Sequence, residues 1–301
     1  MKNYIYIIVP LLAVGILSCE NPNEPLTPIL YPNSNNNNDS TVTAVIDTSD
    51  LYYLPEDIGG TQEAFPLDST SAPFGHYVYK PSGYTDDGPE YPLILFLHGW
   101  GERGDSSKDT KVLEYILRHG PPKQIHSGQW KPKYPFLIVS PQLVNTIWTP
   151  HQIHRFIEYI IENYQVNTNR IYLTGLSLGG GGCWLYAGGI ESHYAAAIVP
   201  ISSSGGESLL DNLRDVPIWA FHGENDDLVD PFDNFGSVQM VESINRTDPP
   251  IRAKVTVYPN IAHNAWSITY YGTGMNRQHW YDDYNMSIYE WMLQYKKDET
   301  E

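Results

Sequence analysis

The sequence predicts an α/β domain built on a doubly wound, mostly parallel sheet. Two observations carry that expectation. Seven short runs rich in β-branched and aromatic residues recur along the last three-quarters of the chain, with helical or loop segments between them. Several of these runs are apolar on both faces, as strands of a parallel sheet covered by helices on each side must be.

In chain order the runs are GHYVYK (75–80), PLILFLHG (92–99), PFLIVSPQ (135–142), RIYLTGL (170–176), AAAIVPIS (195–202), VPIWAFHG (216–223) and AKVTVYP (253–259). The segment 149–164 reads as a helix. Thr149 can cap it, Pro150 suits its first position, and Ile153, Phe156, Ile157, Ile160 and Ile161 form a stripe at helical spacing. Segments 231–245 and 284–297 also read as helices. No internal repeat is present. In sheets of this kind functional residues gather at the carboxyl ends of the strands.

The chain divides into an expected leader at 1–18, a tether at 19–50 and one folded domain at 51–301. Lys2 and the apolar stretch Tyr4–Leu17 have the build of a signal peptide, too short to span a membrane as a helix. The box ILSC around Cys19 resembles the cleavage site of bacterial lipoproteins, which implies lipidation of Cys19 and a place in the cell envelope, periplasmic or at the outer-membrane surface. Membrane contact is expected only through that anchor. Residues 20 to about 50 are dominated by Pro, Asn, Ser and Thr and keep no apolar period, the composition of a disordered tether.

The 301 residues carry a formal net charge of −17, which argues against nucleic-acid binding, since that needs a basic footprint. Only two cysteines occur, Cys19 and Cys183. With Cys19 lipidated no intramolecular disulfide remains, and Cys183 reads as a buried, inert thiol. Neither a phosphate-cradling loop nor a dinucleotide fingerprint appears. His151 and His154 share a helix face, but no carboxylate or cysteine cluster joins them, so they read as surface histidines and no metal or cofactor is expected.

The chemistry centres on GLSLGGGG, residues 175–182. A serine between glycines, after a strand and before a helix, is the setting of a nucleophile elbow, where strand and helix backbones nearly touch. A serine hydroxyl needs an adjacent base, and the base an orienting acid. Asp226, Asp227 and Asp230 follow one late strand, and His263 follows the last.

With YPLILFLHGWGERGD, RIYLTGLSLGG, PIWAFHGENDDLVDP and VYPNIAHNAW in this order, the chain resembles the α/β-hydrolase superfamily. It is most similar to esterases related to polyhydroxybutyrate depolymerases and family-one carbohydrate esterases, often described as prolyl-oligopeptidase-like. The resemblance covers about residues 74–297 and implies an α/β-hydrolase fold. It implies Ser177 as nucleophile, His263 as base and Asp226 as acid, with Asp227 as the rival one residue away. It also implies an oxyanion hole from the backbone N–H groups of Leu178 and Trp100. His98 and His222 read as structural, and Glu102 and Arg103 as charges that hold the Trp100 loop.

Two features depart from the family. Gly181 stands where relatives carry a bulkier residue, so that with Gly182 it either admits another segment or widens the pocket. The segment 267–286 is longer than usual, and its tyrosines, His279 and Trp280 form either an aromatic wall beside the site or a packed surface loop. The function expected is a serine esterase acting on acetyl or feruloyl esters, as small molecules or on polysaccharide. A serine peptidase and a non-catalytic surface binding protein are the alternatives.

Overall fold

The seven apolar runs form seven strands of one nine-stranded sheet. The structure, a computed structural model, describes residues 47–130, 135–190 and 193–297. The leader, Cys19 and the tether up to residue 46 lie outside the described residues. The elements that position the site are β1 (Thr61–Phe65), β2 (Gly75–Lys80), β3 (Tyr91–Leu97), α1 (Gly120–His126), β4 (Leu137–Gln142), α2 (Pro150–Asn163), β5 (Val166–Leu176) and α3 (Leu178–Gly189). They continue with β6 (Ala195–Ile201), α4 (Leu210–Leu213), β7 (Trp219–Gly223), α5 (Ser237–Asn245), β8 (Lys254–Tyr258), α6 (Trp266–Tyr270), β9 (Trp280–Tyr281) and α7 (Ile288–Met292).

The strand order is β1-β2-β4-β3-β5-β6-β7-β8-β9. Every pair from β4 through β3 to β8 is parallel, while β1–β2, β2–β4 and β8–β9 are antiparallel. The chain therefore enters at the β1–β2 edge, begins the parallel part in β3, adds β4 on one side and β5 to β8 in turn on the other, and ends with antiparallel pairs at both edges. The central strands bury both faces: Leu93 through Leu97 and Ala197 through Val199 are fully buried. Such burial contributes about 1.5–3 kcal/mol per large apolar side chain and explains why these strands read as unbroken apolar runs.

Helix α2 forms as its sequence predicts. The Thr149 side chain accepts the Gln152 N–H, Pro150 opens the helix, and Ile153, Phe156, Ile157 and Ile160 pack inward, with Ile161 half-buried. Two other helices are shorter than expected. Helix α5 begins only at Ser237, because the Asp230 carboxylate accepts the Phe232 N–H and Phe235 turns at φ 69°, so 231–236 is a turn. The expected helix 284–297 shrinks to Ile288–Met292. Tyr284 is held outside it by donating its hydroxyl to the Thr269 carbonyl, and the Leu293 and Tyr295 carbonyls turn to Arg170 and Tyr172.

That second contact also reaches residues ahead of Leu51. The buried Arg170 guanidinium forks onto both carboxylate oxygens of Asp50 at 2.6 and 2.7 Å and donates to the Leu293 carbonyl at 2.8 Å. Lys296 pairs with Asp47 at 2.6 Å. The folded body therefore takes in Asp47 and Asp50, ahead of the expected boundary at 51, because a buried guanidinium requires a planar anionic partner. We expect Arg170→Met to cost about 3 kcal/mol of unfolding free energy in urea titrations, with Arg170→Lys recovering only part because an ammonium cannot fork.

Candidate active site

Three strand ends supply the side chains of the site. The first is the turn from β5 into α3. Ser177 sits at φ 52° and ψ −118°, a backbone region that costs ~1–3 kcal/mol for a non-glycine residue. Its N–H donates to the Ile201 carbonyl at 2.8 Å, which ties the turn to β6. A Cβ on Gly179 would lie 1.9 Å from the Leu97 carbonyl oxygen, and one on Gly175 would lie 2.5 Å from the Gly179 carbonyl. Only glycine lets α3 start this close to β3 and β5.

The other glycines of the run differ in purpose. A Cβ on Gly182 would come within 2.9 Å of the Trp148 side chain, so this glycine admits a neighbour. A Cβ on Gly181 would meet nothing nearer than the Ser204 carbonyl at 3.9 Å, and Gly181 lines an open cleft. The two possibilities raised by the sequence are thus divided between the two residues.

The second and third strand ends carry a carboxylate and an imidazole. Asp226 follows β7 and His263 follows β8. The two loops are clamped together: Asn225 N–H donates to Ile261 at 2.8 Å, Glu224 N–H donates to Tyr258 at 3.0 Å, and a Cβ on Gly223 would strike the Ile261 and Ala262 carbonyls at 2.3 Å. His263 Nδ1 is 2.7 Å from Asp226 Oδ2, and its Nε2 is 2.9 Å from Ser177 Oγ. Nδ1–H donating to the carboxylate leaves the Nε2 lone pair free to accept the serine proton. The ring is braced edge-to-face by Trp266, 5.2 Å away. Asp227, the rival acid, is exposed, and among the described residues it makes no hydrogen bond to His263 or Ser177.

Asp226 is heavily hydrogen-bonded. Its Oδ1 accepts the N–H groups of Leu228 and Val229 at 3.0 Å each, and its Oδ2 accepts from His222 Nε2 at 3.0 Å as well as from His263. Burial raises the carboxyl, but the bonds from His222, His263 and the Val229 amide outweigh it and hold it at about 2.

Trp100 and Leu178 each open a helix, the short turn Trp100–Glu102 and α3 respectively. Their N–H groups therefore have no partner within their own helices. The Trp100 loop is fixed from beneath. Buried His98 accepts the Leu143 N–H on Nε2 at 2.9 Å and has Nδ1 2.6 Å from the Gly99 carbonyl, and burial lowers this imidazole to about 4. Glu102 is buried under the loop beside His119, and Arg103 stacks on the Trp100 ring at 3.3 Å while donating to the Trp100 carbonyl. Both charges act on the loop.

Ser177 opens onto a cleft of about 310 Å³ whose apolar walls are Trp100, Ile147, Trp148, Leu185 and Val229. The segment 267–286 does not line it. Tyr270, Tyr271 and Tyr284 instead border a second cleft of about 310 Å³ with Trp130, Phe136 and Tyr289. Trp280 and Tyr281 form the edge strand β9. The aromatic residue that packs on the His263 ring is Trp266, three places after it in HNAW, a spacing visible in the sequence. His154 is occupied by Tyr194, stacked at 5.1 Å, and Cys183 is buried, with its thiol raised by burial.

A serine, a histidine and an aspartate joined by hydrogen bonds at the carboxyl edge of a mostly parallel sheet are the framework of an α/β-hydrolase. The chain belongs to the phospholipase/carboxylesterase family of that superfamily, a family of carboxylic-ester hydrolases, whose model matches residues 84–270. It is 26% identical over 165 residues to a bifunctional acetylxylan esterase/xylanase from Neocallimastix patriciarum, a match covering 51% of this chain and 21% of that protein. The chain thus spans about a fifth of the length of that relative. Among solved structures it is similar to a thermostable esterase, with a TM-score of 0.57 and 23% identity over 79% of this chain and 63% of that one. A poly(3-hydroxybutyrate) depolymerase from Bordetella parapertussis gives a TM-score of 0.48 at 17% identity over 69% of this chain and 87% of that one.

Two outcomes follow from the geometry. Gly179→Ala should lower the unfolding midpoint sharply, by several kcal/mol equivalent, whereas Gly181→Ala should leave stability unchanged or raise it by up to about 1 kcal/mol, read by thermal denaturation. Because the Asp226 carboxyl is depressed on folding, its contribution is fully present above the unfolded carboxylate range near 4. It should be lost as pH falls towards about 2, on the order of 2 kcal/mol in urea midpoints, and Asp226→Asn should flatten that limb.

Proposed function

We propose that the protein is a serine hydrolase that cleaves carboxylic esters through an acyl-enzyme. The observation that carries this reading is the hydrogen-bonded chain from Ser177 Oγ through His263 to Asp226, at 2.9 and 2.7 Å, opening onto the apolar cleft. Ser177 Oγ attacks the ester carbonyl carbon as His263 Nε2 takes its proton. Asp226 holds the imidazole in the required tautomer and balances the imidazolium that forms. The carbonyl oxygen, now an oxyanion, accepts the N–H groups of Leu178 and Trp100. His263 then returns the proton to the leaving alcohol as the C–O bond breaks. Water, deprotonated by His263, attacks the acyl-serine, and His263 returns that proton to Ser177 Oγ as the acyl C–O bond breaks, which releases the acid and free Ser177.

The substrate class in this reading is an acyl group esterified to polysaccharide, acetyl or feruloyl. The cleft favours the larger of the two. Its walls are two tryptophans and three aliphatic side chains, and Gly181 leaves its floor open, which suits a flat aromatic acyl group better than acetate. Lipidation at Cys19 and a place in the cell envelope belong to the same proposal and rest on the leader sequence alone.

The test follows hydrolysis of 4-nitrophenyl acetate and methyl ferulate by the full chain and by Ser177→Ala. Turnover by the wild type and a fall of at least ~10³-fold in kcat/KM in the variant are expected. A variant that keeps its activity removes Ser177 as nucleophile. A wild type that cleaves aryl amides faster than either ester replaces the esterase with a peptidase.

A further inference from the structure

His222 lies at the end of β7 and shares an oxygen with His263. Its Nε2 is 3.0 Å from Asp226 Oδ2 and 2.8 Å from the Val229 carbonyl oxygen, and its Nδ1 is 2.8 Å from Ser237 Oγ. Ser237 Oγ is in turn 2.9 Å from the Ser203 carbonyl oxygen. The His222 and Asp226 side chains are both fully buried.

Counting protons bears on the state of this network. Nε2 faces two acceptors, Asp226 Oδ2 and the Val229 carbonyl, and so carries a hydrogen. The Ser237 hydroxyl has one hydrogen, and its bond to the Ser203 carbonyl uses it. Ser237 Oγ then presents only lone pairs to Nδ1, so the bonds at both nitrogens and at Ser203 are kept together only if Nδ1 carries a hydrogen as well. A neutral ring with its proton on Nε2 would take the Ser237 hydrogen and leave two buried oxygens 2.9 Å apart with none between them. A neutral ring with its proton on Nδ1 would turn a bare nitrogen towards a carboxylate and a carbonyl. Each arrangement leaves buried acceptors facing one another, which is costly without solvent.

We propose that His222 is a buried imidazolium, a positioning residue that neutralises Asp226 and sets the pH range over which His263 is free to act as a base. The proposal rests on the assignment of Ser177, His263 and Asp226 given above. The two rings meet on one oxygen, His222 Nε2 at 3.0 Å and His263 Nδ1 at 2.7 Å. A fixed positive charge on the first opposes a second on the other and keeps His263 unprotonated, and so able to accept the serine proton, to lower pH. It also holds Oδ2 in place while the Leu228 and Val229 amides hold Oδ1.

The charged and titratable groups around the pair are few. Its own strand and the following turn present Asp226 and half-buried Glu224, whose carboxylate accepts the Asn260 N–H of the loop after β8, with Asp227 and Asp230 exposed at the turn's surface; α5 presents the neutral Ser237; the loop after β6 presents the Ser203 carbonyl; and the loop after β8 presents His263, with Trp266 behind it. Among the described residues no lysine or arginine is hydrogen-bonded or ion-paired to either ring.

Two measurements on the full chain test this. Nitrogen-15 NMR of histidine-labelled protein, with His222 assigned through its bonds to the backbone, should show both ring nitrogens protonated from ~pH 5 to ~8. One ring nitrogen without a proton at neutral pH overturns the proposal. In the pH profile of kcat/KM for methyl ferulate, His222→Gln keeps a donor but no charge, and the acidic limb should move up by roughly one pH unit. A limb that stays in place, or moves down, overturns it. If the variant fails to fold, the wild-type nitrogen signals still decide. If the wild type cleaves no ester, the proposed function fails while those same signals continue to report the charge on His222.

Discussion

The site depends on one steric constraint, the contact between Gly179 and the Leu97 carbonyl, where even a methyl group would lie 1.9 Å from the oxygen. It lets α3 start directly against the ends of the central strands β3 and β5. Three consequences follow from that one approach. Ser177 is forced into a left-handed backbone conformation that lifts its hydroxyl off the sheet. The Leu178 N–H becomes the first of a helix. The loop after β3, which carries Trp100, is brought beside both. The strain at Ser177 is tolerated because its N–H is bonded into β6 and the helix behind it packs on buried strands.

The second organising feature is electrostatic. Asp226 accepts four hydrogen bonds from donors on β7, its own turn and the loop after β8, so one carboxylate positions His263 and staples two loops. On its other side the buried His222 ring, 3.0 Å from Oδ2, gives the same carboxylate a second imidazole partner. The elbow and the acid–base loops meet only because β5 and β7 flank β6 and β8 follows β7, an order set by parallel crossover connections.

Much of this was legible in the sequence for a physical reason. Strands buried on both faces must be apolar without interruption, so all seven central runs could be read directly. The cap at Thr149 and the stripe of α2 are likewise local. Elements that failed to read were those whose conformation is imposed from outside. The residues 231–236 carry helix-compatible side chains, yet the Asp230 carboxylate captures the Phe232 N–H and the segment turns. Tyr284 and the residues after Leu293 have helical periodicity, but their hydrogen-bonding groups are claimed by Thr269, Arg170 and Tyr172. Two-residue β9 has no period to detect; it exists because β8 offers it an edge.

By itself the sequence determined the doubly wound sheet and the order serine, aspartate, histidine at strand ends, because burial and turn chemistry are written in neighbouring residues. Tertiary structure alone put Asp226 in hydrogen bond with His263, divided the glycine run into close approach at Gly182 and open space at Gly181, and sent the aromatic segment 267–286 to a second cleft. It also brought His222 onto the acid. These outcomes depend on distances between segments tens of residues apart, such as the 86 separating Ser177 from His263, and no local pattern encodes them.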